Sequence, residues 1–415
     1  MEDKTMKLEK MEQIFLDTAY VHAGGSDEEL QVAKYFQDEC AKLGLEAVIE
    51  PFEVQMANIL DAKLYIDGKE IPCKGYKNCG CGEVEAELYY LRNTEDAYSL
   101  KQCKGKIVMI DTIIRHWSFQ DLFEHGAVGF ITFDGNVHYD HNDIDQKELR
   151  AAVGAGKKLL AANINVKDAV EIIRSGAKTA KIVIEQEEYM GESRNVVLDL
   201  PGEIDEYVIM TAHYDSVPLA NGAYDNMSGA VALLAAAEYF KEHPHRYGLR
   251  FVWCGSEERG LLGAKAYCKD HADLLEKIGL CVNVDMIGPV MGGFHAVCTT
   301  EDKLVSYIEY MADEVGFPLQ SKSGVYSSDS TPFADNGVPA VSFARLAPGN
   351  TQAGHCRYDT IEILKMEQLS EDIDFIISFT NRMVNAKMMP VGRVMPEKLK
   401  NELAEYLLRK RPGKK

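Results

Sequence analysis

The run His213-Tyr214-Asp215-Ser216 follows an apolar stretch, Tyr207–Ala212, that reads as a buried strand. In an open α/β sheet, ligands bind beyond the carboxyl ends of the strands. His213 is therefore a candidate metal ligand. A metal-bound histidine usually donates its other ring N–H to a carboxylate, a place open to Asp215. Asp225-Asn226 then stands just before an apolar helix. Both residues cap helix N-termini well, and the same position would hold a carboxylate rigidly. Leu249–Cys254 runs into Glu257-Glu258, adjacent carboxylates that are costly to hold together unless a cation neutralises them. One of the two can bind metal while its neighbour, pointing elsewhere, acts as a base. Leu280–Val284 ends in Asp285, and His355 lies in a segment punctuated by Gly and polar residues, with Asp359 as a candidate support.

These positions carry meaning jointly. His213, Asp225, Glu258, Asp285 and His355 fall at or just beyond the expected strand ends. Two imidazoles and three carboxylates suit two borderline cations, zinc foremost, with other divalent metals as substitutes. With Asp225 bridging, each metal has one histidine and one terminal carboxylate, and a position remains for water. Two metals roughly 3.5–4 Å apart acidify a shared water and polarise a carbonyl. Glu257 would take the proton from that water and return it to a leaving amine, which is amide hydrolysis.

The elements that must position these groups are alternating strands and helices from Arg194 onward. Strands are expected at Asn195–Leu200, Tyr207–Ala212, Leu249–Cys254, Leu280–Val284 and Ala340–Phe343. Helices are expected at Met227–Glu242, Leu261–Lys269, Lys303–Val315 and Met366–Val384. Strands with little polar alternation, separated by helices, argue an α/β fold with a mostly parallel mixed sheet flanked by helices. The first ~55 residues read as two helices and an edge strand interrupted by Pro51, with Ser26 and Glu29 forming a capping box. Residues 57–192 change character. Short strands at Leu60–Ile66, Ala86–Leu91, Lys106–Ile110 and Val128–Phe133, with one helix near Val166–Ser175, describe a mixed-β insertion. The expected organisation is a catalytic domain of 1–56 with 193–390, the insertion at 57–192, and a basic tail at 391–415 ending in Lys414 and Lys415.

The chain of 415 residues exceeds one ordinary core, in keeping with that division. Its formal net charge of −20 disfavours nucleic acid and anionic membranes as partners. No apolar run is long enough to span a bilayer, and the N-terminus lacks the apolar core of a secretory signal. Ten cysteines in a chain this long read as reduced thiols in a cytoplasmic protein. Cys79 and Cys81 have no second pair at zinc-site spacing. The cluster His138, Asp140, His141, Asp143 and Asp145 reads as a hydrated loop, and His243, His245 and His295 as incidental.

The motifs resemble those of the co-catalytic zinc aminopeptidase family, which also contains glutamate carboxypeptidase, the transferrin receptor and the glutaminyl cyclases. The resemblance rests on His213-Tyr214-Asp215-Ser216, Asp225-Asn226-x-Ser228-Gly229, Glu257-Glu258, Asp285-Met286-x-Gly288 and His355 with Asp359-Thr360. It covers about 195–360, and Ser193-Arg194-Asn195-Val196 is similar to the start of the family's catalytic core. The resemblance implies His213, Asp225, Glu258, Asp285 and His355 as ligands of two zinc ions, Asp225 as their bridge and Glu257 as general base. Asp215 would orient His213, and the Asp225-Asn226 peptide would be cis. The insertion resembles a protease-associated domain through Gly105–Ile110, His125–Phe130 and Val166–Gly176.

Two positions depart from the family. Ser330 stands where a histidine is frequent, and Gly354 where some relatives place Tyr before the second His. Carbonyl stabilisation must then come from elsewhere, with Tyr326 the first candidate and Tyr358 a weaker one. The expected activity is removal of N-terminal residues from peptides. A dipeptidase or carboxypeptidase on the same scaffold is the nearest rival, because Arg259 or Arg345 could receive a terminal carboxylate. A non-catalytic receptor-like protein and a glutaminyl cyclase are more distant readings. The motifs leave the oligomeric state, the native metal and the preferred side chain open.

Overall fold

The structure, a computed structural model, describes residues 6–111, 113–349, 351 and 354–413. The chain divides into two compact units, Met1–Glu53 with Glu192–Lys415, and Val54–Gly191. These limits fall a few residues from 57 and 192 for a physical reason. The strands Val48–Ile66 and Thr179–Leu200 run without a break from one unit into the other, so no turn residue marks the change. Pro51 lies inside the first strand rather than interrupting it, at an exposed position, and Leu60–Ile66 is the end of that same strand.

In the first unit, Ala340–Leu346, Ile278–Val284, Ile204–His213 and Tyr247–Cys254 lie side by side in that order, each pair parallel. Cys254 pairs with His213 and Val284 with Phe343, so the carboxyl ends form one rim. Antiparallel strands flank this core: Gly293–Thr299 on one side and residues 196–200 on the other. Leu319–Ser323 extends the sheet beyond Gly293–Thr299. Neither Gly293–Thr299 nor Leu319–Ser323 was expected. The first begins within the Gly292-Gly293 pair, and the second is a short polar edge with little apolar signal.

The helices Leu8–Asp17, Asp27–Lys42, Ser228–Glu242 and Met366–Val384 contribute to the same core as the sheet. Ser228–Glu242 is apolar on nearly every face and is buried along most of its length, the pattern of a core helix. Trp253 shows how the N-terminal segment is tied in. Its ring stacks on Phe36 at 5.6 Å, and its indole N–H donates to the Ala230 carbonyl at 2.9 Å.

The second unit has its own core and a sheet in which Gly82–Leu91, Ile107–Ile110, Gly129–Asp134 and Leu160–Asn165 pair in parallel. Residues 179–184 and Cys73–Gly75 close its edges in antiparallel register. The expectation of one helix is corrected: Ala97–Lys101, His116–Glu124 and Ala151–Gly154 accompany Val166–Ser175. Two of these are only one turn long and carry no period to detect.

Within the expected basic tail, the amphipathic stretch at Glu397–Leu408 forms a docked helix, Glu397–Tyr406, with Leu399 and Leu403 buried. Lys414 and Lys415 lie outside the described residues. Among the described residues, no helix is long and apolar enough to cross a membrane.

Candidate metal centre and active site

The rim brings together the five residues expected to bind metal. His213 Nε2 lies 3.2 Å from Asp225 Oδ1 and 3.7 Å from Asp285 Oδ1. His355 Nε2 lies 3.1 Å from Asp225 Oδ2 and 3.0 Å from Glu258 Oε1. The donors fall into two sets that share Asp225, His213–Asp225–Asp285 and Asp225–Glu258–His355. Glu257 faces the same centre, within reach of His213 and Glu258.

Each of these side chains is held by an identifiable contact. Asp225 sits in a tight turn, Ala223–Met227, ahead of the Ser228 helix, and the Asp225–Asn226 peptide is cis. The Asn226 amide donates to the Val284 carbonyl at 2.9 Å, and its oxygen accepts from the Met286 and Gly229 amides, each at 3.0 Å. That one side chain joins the Asp225 turn to the Asp285 segment. Gly229 permits the approach, since a Cβ there would lie 2.3 Å from the Val284 carbonyl oxygen.

Asp359 is not the support of His355 that the sequence suggested. Its carboxylate accepts from the Tyr224 and Asp225 amides at 2.7 and 3.1 Å and so fixes the bridging residue. Asp215 also differs from expectation. The nearest partner of His213 Nδ1 is the Asp215 backbone carbonyl at 3.1 Å, with the carboxylate at 3.6 Å. The Asp215 carboxylate instead accepts from the Glu257 and Glu258 amides at 2.8 and 3.2 Å. It carries the base loop as well as flanking the imidazole.

The spacing of Glu29 from Ser26 points only to a capping role, yet Glu29 has a larger one. Ser26 does cap that helix, but the Glu29 side chain is fully buried behind the base loop. It accepts from the Ser256 amide at 3.1 Å and the Ser193 hydroxyl at 2.7 Å, with Arg194 3.6 Å away. Ser256 holds a left-handed conformation, φ 52°, which turns the chain between the strand and Glu257. No local pattern reveals a contact between residues so far apart in the chain.

The residues present fit divalent cations. Asp285 Oδ1 is buried with no hydrogen-bond partner among the described residues. Burial pushes Glu257 and Glu258 above the usual carboxylate range, and the carboxylates around them add to the effect. Burial pushes Asp329 and Asp359 up to about 7 and Glu29 up to about 8. Burial works against a charged His213, but Glu257, Asp215, Asp225 and Asp285 outweigh it and raise its pKa. Such a cluster is an anion-rich cavity that two cations would neutralise.

This arrangement makes the metal-stripped protein pH-sensitive. The raised groups bind protons more tightly folded than unfolded, so stability falls as pH climbs from their ordinary toward their raised values. Asp225, drawn below the usual range by His213 and His355 despite its burial, acts oppositely only at lower pH. Thermal unfolding of stripped protein should show Tm declining between about pH 5 and about pH 8, with the metal-loaded protein much flatter. Equal slopes for the two forms would contradict this.

Comparison with known proteins gives the same site a lineage. Residues 195–380, which contain all five donors and Glu257, match the sequence model of peptidase family M28. The match spans a little under half of the chain. The aminopeptidase YwaD of Bacillus subtilis is 31% identical over 195 residues, covering 45% of this chain and 43% of that protein. Leucine aminopeptidase 2 of Trichophyton rubrum is 33% identical over 159 residues, 35% of this chain and 32% of that protein. The chain thus aligns with less than half the length of either relative. The fold is shared more widely: BSAP, a zinc aminopeptidase from Bacillus subtilis, superposes with TM-score 0.78 at 21% identity, covering 94% of this chain and 99% of that one.

The other candidate residues take different places. Tyr326 has an enclosed hydroxyl with no partner among the described residues, and burial with Asp285 and Asp225 nearby raises its pKa. Tyr358 is largely exposed. Arg345 is buried and committed: Nε and Nη2 donate to Asp372 at 2.9 and 2.6 Å, and Nη1 donates to the Gly292 carbonyl at 2.9 Å. Asp372 also accepts from the Gly288 amide at 3.0 Å, steadying the turn after Asp285. Among the described residues, groupings of three or more metal-suited side chains occur at this centre alone.

Proposed function

We propose that this protein is a two-zinc aminopeptidase of the M28 family that removes N-terminal residues from peptides. The observation that carries the reading is the pair of donor sets sharing Asp225, with Glu257 beside them. Two relatives named as aminopeptidases, and a zinc aminopeptidase with the same fold, support it. One zinc would be held by His213, Asp225 and Asp285, the other by Asp225, Glu258 and His355. When bound, the two cations acidify a water and polarise the scissile carbonyl.

The protein groups do the rest. A Glu257 carboxylate oxygen accepts a proton from the attacking water and passes it to the departing amine nitrogen. The Asp215 carboxylate, gripping the Glu257 and Glu258 amides, keeps that oxygen in place. The Tyr326 hydroxyl donates to the carbonyl oxygen as charge develops on it. The surplus of carboxylates suits a substrate's α-ammonium. Arg345, the better buried of the two cations considered for a terminal carboxylate, is already held by Asp372.

Hydrolysis of aminoacyl-p-nitroanilides by zinc-loaded and chelator-stripped protein tests the reading, with metal content measured in parallel. Metal-dependent release is expected, and acetylating the substrate amine should abolish it. Cleavage of N-acetylated peptides with a free carboxylate, and none of C-amidated ones, would instead make the protein a carboxypeptidase. For the second unit, the parallel strands Ile107–Ile110 and Gly129–Asp134 with helix Val166–Ser175 support a protease-associated domain. Ten free thiols support a reducing compartment, the cytoplasm.

A further inference from the structure

Tyr326 lies on the segment between the strand Leu319–Ser323 and the helix Ser330–Asp335. From within, this segment is tied by two hydroxyls: Thr299 Oγ1 donates to the Gly324 carbonyl and Thr331 Oγ1 to the Tyr326 carbonyl, each at 2.8 Å. Those bonds fix the backbone on either side of Val325. The Gly324 amide also donates to the Cys298 carbonyl at 3.0 Å and the Asn283 side-chain amide to the Ser328 hydroxyl at 2.5 Å, while further contacts come from the far end of the chain.

The residues on both sides of Tyr326 are bound to the helix Glu397–Tyr406. The Val325 amide donates to Glu402 Oε1 at 3.2 Å, and the Ser327 hydroxyl lies 2.7 Å from the Tyr406 hydroxyl. The helix is itself fixed in register. Leu403 is buried in a cluster with Phe333, Ala334 and Val338, against which Val325 and Leu407 also pack. Just beyond the helix, the Arg409 guanidinium grips both oxygens of Asp335 at 2.6 and 2.5 Å. The residue before Tyr326 and the residue after it are thus both referenced to a single rigid rod. Nothing comparable is needed to bury a loop, since the two polar bonds are exposed and add little to stability. They do set the direction in which Tyr326 points.

We propose that the C-terminal helix is a positioning element of the active site, in which Glu402 and Tyr406 aim the Tyr326 hydroxyl at the substrate carbonyl. This rests on the role given above to Tyr326. A hydroxyl enclosed without a partner is useful only if its placement is accurate, and a displacement near 1 Å can cost about 100-fold in rate.

The test uses the full-length, zinc-loaded protein, one aminoacyl-p-nitroanilide, and four variants. Tyr326→Phe should lower kcat by roughly 100-fold. Glu402→Ala combined with Tyr406→Phe should lower kcat by about 5- to 10-fold, with KM, zinc content and Tm close to those of the parent. Glu402→Gln, which keeps the oxygen that accepts from Val325, should retain parental kcat. The triple variant should be no slower than Tyr326→Phe alone, because the helix acts through that residue. Parental kcat in the Glu402/Tyr406 variant beside an impaired Tyr326→Phe overturns the positioning role and leaves Tyr326 in place. An unimpaired Tyr326→Phe overturns the role of Tyr326 itself and the proposal with it. Losses that multiply in the triple variant, or a lowered Tm with unchanged kcat, overturn the proposal by showing a route independent of Tyr326 or a purely structural one.

Discussion

Glu257→Gln should lower kcat by roughly a thousand-fold or more while leaving both metal sites filled. The substitution keeps the shape of the side chain and removes only its capacity to take a proton. The surrounding geometry argues that nothing else moves. The loop is held through its backbone, the Glu257 and Glu258 amides donating to Asp215 and the Ser256 amide to Glu29. Glu257 lies outside the two donor sets that share Asp225, although with His213 and Glu258 it forms a third grouping, so metal content is the readout that separates a base from a ligand. Removing one of several clustered carboxylates also relieves repulsion in a cavity where burial and Glu258 already oppose ionisation. Steady-state kinetics with metal analysis decides the matter. Near-parental kcat would dismiss Glu257 as the base, and loss of metal would make it a ligand.

The second large effect separates the bridge from the terminal ligands. Asp225 faces both imidazoles, Oδ1 toward His213 and Oδ2 toward His355, so Asp225→Ala should reduce zinc from about two per chain to nearly none and abolish activity. His355→Ala touches one donor set only and should leave about one zinc bound. The His355 side chain is 61% exposed, against 2% for His213, which makes its site the more readily emptied of the two. Titrating stripped variants with zinc and counting bound equivalents checks both outcomes. Equal loss in the two variants would dismantle the division into two sites.

The contrast between what the sequence discloses and what it conceals has a physical origin in this protein. His213, Glu257, Glu258 and Asp285 are legible because each follows a predominantly apolar strand, and a charge at such a junction is costly without a purpose. Parallel pairing then brings those ends to one rim. The partners of Asp215 and Asp359 are not legible, because they depend on how loops fold back after the strands end. Glu29 is hidden more deeply, since its spacing from Ser26 satisfies a local capping pattern while its side chain serves a loop elsewhere. Unit boundaries are blurred by Val48–Ile66 and Thr179–Leu200, whose extended backbone continues where a break is expected.

The Glu29 contact also orders events at the ribosome. Glu29 and Ser256 are 227 residues apart, and at typical rates of translation that interval lasts roughly ten to forty seconds. Through it, Val32, Ala33, Phe36 and Cys40 emerge without the Trp253 strand they pack beside. The Val54–Gly191 segment, with a core of its own, is synthesised complete within the same interval. The nascent chain therefore carries a finished unit ahead of an unfinished one, with the apolar face of an amphipathic helix waiting at its leading end. The inserted segment acts as a delay line, and the catalytic unit closes only when the ribosome has delivered its last strands and the C-terminal helix.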